Sequence, residues 1–133
     1  LLLVLMVAIV QVWRRRISSQ YEKINYDILE EPYERASRRI KELDSSVLTK
    51  EYYSTLSHVL REYIETKYFI RMLEMTTEEI ENEIEIFHFE KKNSIKIINF
   101  LKKSDQVKYA RLTPIPEKMV QDKKEIEDII QII

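Results

Sequence analysis

The chain contains no glycine and no cysteine, only two histidines and three prolines, and almost no net charge: 22 Lys and Arg against 23 Asp and Glu leave −1 at neutral pH. Each shortage excludes something. Without glycine, no backbone loop can close around a phosphate as Rossmann, P-loop and kinase glycine loops do, which removes those nucleotide sites. Without cysteine there is no disulfide framework, no thiolate-bound zinc and no thiol nucleophile, while the redox compartment stays open. Charge balanced near zero gives no electrostatic reason to expect nucleic acid as the main partner. What remains is 133 residues, 44% hydrophobic and 34% charged. That suits one domain with a modest core.

The longest apolar run opens the sequence. Leu1 to Val10 is uninterrupted, then come Gln11, Val12 and Trp13, then Arg14-Arg15-Arg16. A secretory signal would place its charges before the run and a small-residue cleavage site after it, the reverse of this order. Trp13 suits the headgroup level and the arginines suit the cytoplasmic side. The expectation is a transmembrane helix and its cytoplasmic arginine anchor over residues 1–16. A helix over residues 1–13 would span about 20 Å, short of the ~30 Å hydrocarbon core. With a leucine in first place, more of the span is expected upstream. The competing reading is a core helix of a soluble protein, against which the adjoining arginine triplet argues.

Residues 17–30 read as a juxtamembrane connector, and residues 31–133 as an all-α cytoplasmic domain, a compact bundle of about five helices. Pro32 opens the first of these, with Tyr33, Ala36, Ile40 and Leu43 as its apolar stripe. Thr49 is placed to cap the next, whose stripe runs through Tyr53, Leu56, Leu60, Tyr63 and Ile64. The apolar connection over 68–75 is expected to pack. Thr76 and Glu79 have the spacing of a capping box for a short helix bearing Ile80, Ile84 and Phe87. A further helix covers 94–103, with Lys102 and Lys103 outward. Leu112 to Pro116 reads as non-helical because each proline drives its predecessor extended. A last helix starts near Glu117 and carries Ile126, Ile129, Ile130 and Ile133. Only Glu81 to Phe89 alternates enough to compete as a strand.

No residue set demands catalysis. His58 and Glu62 share a helix face, but two ligands fall short of a zinc site. Glu85 and His88 have the Glu-x-x-His spacing of di-iron bundles, without the second copy such centres need. Ser54, Ser57 and His58 lack the strained turn of a nucleophile elbow. The row Glu78, Glu79, Glu81, Glu83 and Glu85 reads as a solvated acidic face rather than two carboxyls across a cleft. Lys91, Lys92, Lys96, Lys102, Lys103, Lys108 and Arg111 read as a solvated basic one, without a stacking platform for bases. The expectation is therefore a non-enzyme, with no cofactor, metal, small-molecule substrate or nucleic acid.

Three stretches taken in order carry a family resemblance: Tyr52 to Ile64, Thr76 to Ile80, and Asp105 to Ala110. Together with the apolar span and the Ala36, Ile40, Leu43 helix, they resemble the cytoplasmic C-terminal domain of BatD-like proteins from bacterial aerotolerance (Bat) operons. They also resemble a related family of short single-span bacterial membrane proteins of unknown function. The resemblance implies a single-pass protein of the bacterial inner membrane acting beside a MoxR-type AAA+ ATPase and von Willebrand factor A-domain membrane proteins. It supplies no catalytic residues. The alternative is the regulatory cytoplasmic tail of an unrelated receptor or transporter.

Two expectations concern particular side chains. Arg61, at the edge of the strongest apolar stripe, is expected to pair directly with Glu79 or Asp105, because a guanidinium there is costly without a carboxylate. The segment Asp105 to Arg111 is expected to carry any partner contact. In that reading Asp105 caps a helix end, Val107 and Tyr109 point inward, and Lys108 and Arg111 face an acidic partner.

Overall fold

The computed structural model describes residues 4–12 and 30–133. The chain divides into two units, Leu1–Glu31 and Pro32–Ile133. In the first, residues 4–12 form helix α1. Its large apolar side chains, Val4, Leu5, Met6, Val7, Ile9, Val10 and Val12, are all more than half exposed. Among the described residues no helix is long and apolar enough to cross a membrane. Trp13, the anchor arginines 14–16 and connector positions 17–29 lie outside the described residues.

The second unit contains α2 (Pro32–Glu42), α3 (Thr49–Tyr68), α4 (Thr77–Glu83), α5 (Lys91–Tyr109) and α6 (Pro116–Ile132), with 3-10 turns at Met72–Glu74 and Ile84–Phe87. No strand occurs among the described residues, so the alternation from Glu81 to Phe89 resolves into the end of α4 and a 3-10 turn. Helix α3 is the centre. It touches α2, α5, α6 and the Met72–Glu74 turn. Tyr52, Tyr53, Leu56, Val59, Leu60, Tyr63 and Ile64 are buried on more than one of its faces, the pattern of a helix surrounded by others. Ala36 and Ile40 of α2, Ile97, Phe100 and Leu101 of α5, and Ile126, Ile129 and Ile130 of α6 complete the core. The 68–75 connection packs through Met72, which is fully buried, while Phe69 stands in solvent.

The helix ends are where local chemistry shows most clearly. Thr76 Oγ1 accepts from Glu79 N at 3.2 Å and Glu79 Oε2 accepts from Thr76 N at 2.7 Å, forming the expected capping box. Thr49 does not cap α3. Leu48 occupies the N-cap without a side-chain bond and Thr49 is the first helical residue. Helix α5 runs well beyond 94–103 in both directions, so Asp105 lies inside it and caps nothing. Pro116, expected outside the helix, is its first residue, where a missing N–H is harmless. Tyr33 is exposed rather than part of the α2 stripe.

The absence of glycine has a structural consequence. Phe69, His88 and Arg111 all adopt φ of 57°. Phe69 and His88 end a helix and a 3-10 turn, and Arg111 follows the end of α5, with Leu112 N donating to Gln106 O at 3.2 Å. Glycine usually fills such left-handed positions, because a Cβ there costs about 1–2 kcal/mol.

Candidate functional site

The three motif stretches meet. Arg61, on α3, donates from Nη1 to the Met75 carbonyl at 2.6 Å and from Nη2 to Thr77 Oγ1 at 3.0 Å. Thr77, the first residue of α4, in turn donates from Oγ1 to Asp105 Oδ2 on α5 at 2.5 Å. Lys108 Nζ lies 3.4 Å from the other oxygen of Asp105. The expected direct pair is therefore corrected. A hydroxyl stands between Arg61 and Asp105, and Glu79 is taken up by its capping box. The threonine can serve both neighbours because a hydroxyl accepts and donates at once. Arg61 Nε is buried without a partner. Burial pulls the Arg61 pKa down, and the charge of Asp105 opposes that. Hydrogen bonds from Thr76, backbone first, hold Glu79 below its usual range.

A second polar cluster, absent from the sequence reading, ties α3, α5 and α6. Asp122 is fully buried. Its Oδ2 accepts from the Tyr53 hydroxyl at 2.5 Å, and its Oδ1 lies 2.8 Å from Lys103 Nζ and 3.5 Å from Lys118 Nζ. Tyr52 donates to the Met119 carbonyl at 3.2 Å and Ser104 to the Tyr53 carbonyl at 3.0 Å. Burial, then the hydrogen bond and charge of Asp122, push the Tyr53 phenol far above its ordinary value. Lys103, read as outward, is half-buried and serves Asp122. The spacing Met119, Asp122, Ile126, Ile129 could have revealed this carboxylate, since it keeps helical register with a buried stripe.

The segment Asp105 to Arg111 also departs from expectation. Val107 is buried as expected, but Tyr109 is 77% exposed. The Lys108 side chain is only 14% exposed, paired with Asp105 and lying 5.4 Å from the Tyr109 ring centre. Arg111 does face solvent. Beside it, Leu112 and Ile115 are exposed on the loop leading to α6. Here the outward set is Tyr109, Arg111, Leu112 and Ile115.

The remaining candidates stay apart. Glu62 accepts from Arg39 at 2.5 Å and lies 3.9 Å from Arg35, so it is committed to α2 rather than to His58, which is exposed. Glu85 and His88 are exposed at the end of the short 3-10 turn. Among the described residues no three His, Asp or Glu side chains converge as metal ligands. Both buried polar clusters thus join helices to one another. Comparison of the chain with protein-family models, with curated proteins and with solved structures finds no match.

Proposed function

We propose that this chain is a membrane-tethered, non-catalytic helical interaction module of a Bat-type assembly, acting beside a MoxR-type AAA+ ATPase and von Willebrand factor A-domain proteins. The observation that carries the reading is the junction of the three resemblance motifs. Arg61, Thr77 and Asp105 come from stretches separated by 16 and 28 residues, yet they form one hydrogen-bonded chain. Such a junction specifies a domain, and the chemistry of its side chains is spent on holding α3, α4 and α5 together.

The tether rests on α1. A helix whose apolar side chains all stand more than half exposed leaves a surface that water disfavours, by roughly 25 cal/mol per Å². Lipid would cover it. The contact surface in this reading is the loop side carrying Tyr109, Arg111, Leu112 and Ile115, of which Tyr109 and Arg111 are residue types enriched at binding hot spots.

The experiment is affinity purification of the intact chain from bacterial membranes, paired with inspection of the neighbouring genes. Co-recovery of an AAA+ ATPase and an A-domain protein encoded nearby supports the reading. Repeated failure to recover either, or a gene neighbourhood lacking both, overturns it in favour of a tail belonging to another membrane system.

A further inference from the structure

An open groove of about 450 Å³ lies between the α4 wall with its following 3-10 turn and the first turns of α5. Ile84, Phe89 and Ile98 line it, and Ile95, 52% exposed, stands on the α5 side. The two walls have opposite sign. Of the charged lining side chains, Glu81 and Glu85 stand on the α4 side and Lys91 on the α5 side. The walls meet through charge where Lys102 Nζ reaches Glu81 at 2.6 Å. Glu85 and Lys91, also in the lining, are exposed and have no ion pair of their own among the described residues.

We propose that this groove is the interface of a two-fold dimer of this chain. A patch with one negative and one positive rim about an apolar centre becomes its own complement when turned by half a revolution. The acidic wall of each copy then faces the basic wall of the other. Such isologous contacts are the commonest way for identical chains to associate. Ile95 of each protomer enters its partner's groove, where it and Phe89 leave water. A copy docked without the half-turn sets like charges opposite one another, which selects a single orientation. A partner of different sequence would need the same pairing of signs across an apolar stripe, and a second copy has it already. The proposal goes beyond the tethered-module reading and does not rest on it.

The test is sedimentation equilibrium of the intact chain in density-matched neutral detergent micelles at low ionic strength. Wild type should reach a monomer–dimer equilibrium. Glu85→Lys and Lys91→Glu should each raise the dissociation constant at least about tenfold, because symmetry presents each reversal twice. The double variant exchanges one charge on each rim and should return to within about threefold of wild type. Ile95→Glu should be monomeric. All three positions are exposed, so circular dichroism should be unchanged. Association through α1 alone would be blind to these substitutions. A monomeric wild type, a dimer indifferent to the reversals, or a double variant as weak as the singles would each overturn the proposal.

Discussion

Tyr53 and Asp122, 69 residues apart, share a 2.5 Å hydrogen bond inside the core, with Lys103 and Lys118 at the carboxylate's other oxygen. This arrangement makes α6 dependent on α3 and α5 through one buried charge. Breaking a buried pair from one side leaves the remaining group without compensation, which is the costly case. Tyr53→Phe should destabilise the domain by about 1–2 kcal/mol and Asp122→Ala by about 3 kcal/mol. The double variant should cost less than their sum by about 1 kcal/mol. Urea titration followed by circular dichroism measures all three, and strict additivity would show that the two groups are not coupled.

The same bond gives the domain an alkaline limit. Tyr52 and Tyr53 both have pKa values raised above the ordinary 10.0, by burial first, then by the charge of Asp122 for Tyr52 and by the hydrogen bond to Asp122 and its charge for Tyr53. The fold therefore holds the protonated phenols. Their contribution is fully present below pH 10 and is lost as pH climbs toward their folded values, because the unfolded chain releases protons that the folded chain keeps. A phenol held protonated in this way steepens the decline by at most about 1.4 kcal/mol per pH unit. Denaturation midpoints between pH 10 and 12 should fall less steeply for Tyr53→Phe than for wild type. Identical slopes would mean that the phenol ionises as freely inside as outside.

Thr77 offers a sharper substitution, because its two roles separate by chemistry. Valine keeps the shape and removes the hydroxyl that accepts from Arg61 and donates to Asp105, while serine keeps the hydroxyl and removes a methyl. Thr77→Val should cost about 2 kcal/mol through two half-buried charged groups left short of a partner, and Thr77→Ser under about 1 kcal/mol. Guanidinium unfolding curves of the two variants decide it. Equal losses would reduce the bridge to packing.

These clusters also show what a linear reading can reach. The capping box of Thr76 and Glu79 was legible because both partners lie within one turn and need nothing else. The α3 stripe was legible because seven apolar side chains repeat at helical spacing. Arg61 stands out in the sequence as a charge on an apolar edge. Charge alone points it to a carboxylate, while only the fold brings a threonine hydroxyl into the gap. The charge of Asp122 hides its register with Met119 and Ile126. The full extent of α5 is hard to read because polar Asn93 and Ser104, which occupy its buried face beyond the apolar Ile97 to Leu101 stretch, do not look like core positions in the sequence.

The three left-handed residues lead to an expected gain rather than a loss. At Arg111, φ is 57° and the side chain is exposed, so its Cβ is a cost without a packing return. Arg111→Gly should raise stability by about 1 kcal/mol, the relief of the left-handed penalty less the extra freedom of the unfolded chain. His88→Gly should behave similarly. Arg111→Val, branched at Cβ, should destabilise instead. A thermal melt series that ranks Gly above Arg above Val confirms the backbone origin. Any other order would place the effect in the arginine side chain.

Lys108 and Arg111 are close in sequence and both cationic, yet the fold gives them different duties. Lys108 is nearly covered, 3.4 Å from Asp105, and so belongs to the junction that Arg61 and Thr77 build. Arg111 faces water beside Tyr109 and Leu112. Lys108→Glu places a like charge against Asp105 and should lower stability by about 1 kcal/mol, whether or not a partner exists. Arg111→Glu should leave the unfolding midpoint within about 0.5 kcal/mol of wild type. If the Tyr109–Ile115 surface is where the partner docks, Arg111→Glu and Tyr109→Ala should both fold normally and both reduce partner recovery from membranes. Truncation of an exposed aromatic anchor costs binding without costing the fold. Recovery unchanged by Tyr109→Ala and Arg111→Glu, but lowered by Lys108→Glu in proportion to lost stability, would make the segment a structural junction and move the contact surface elsewhere on the helices.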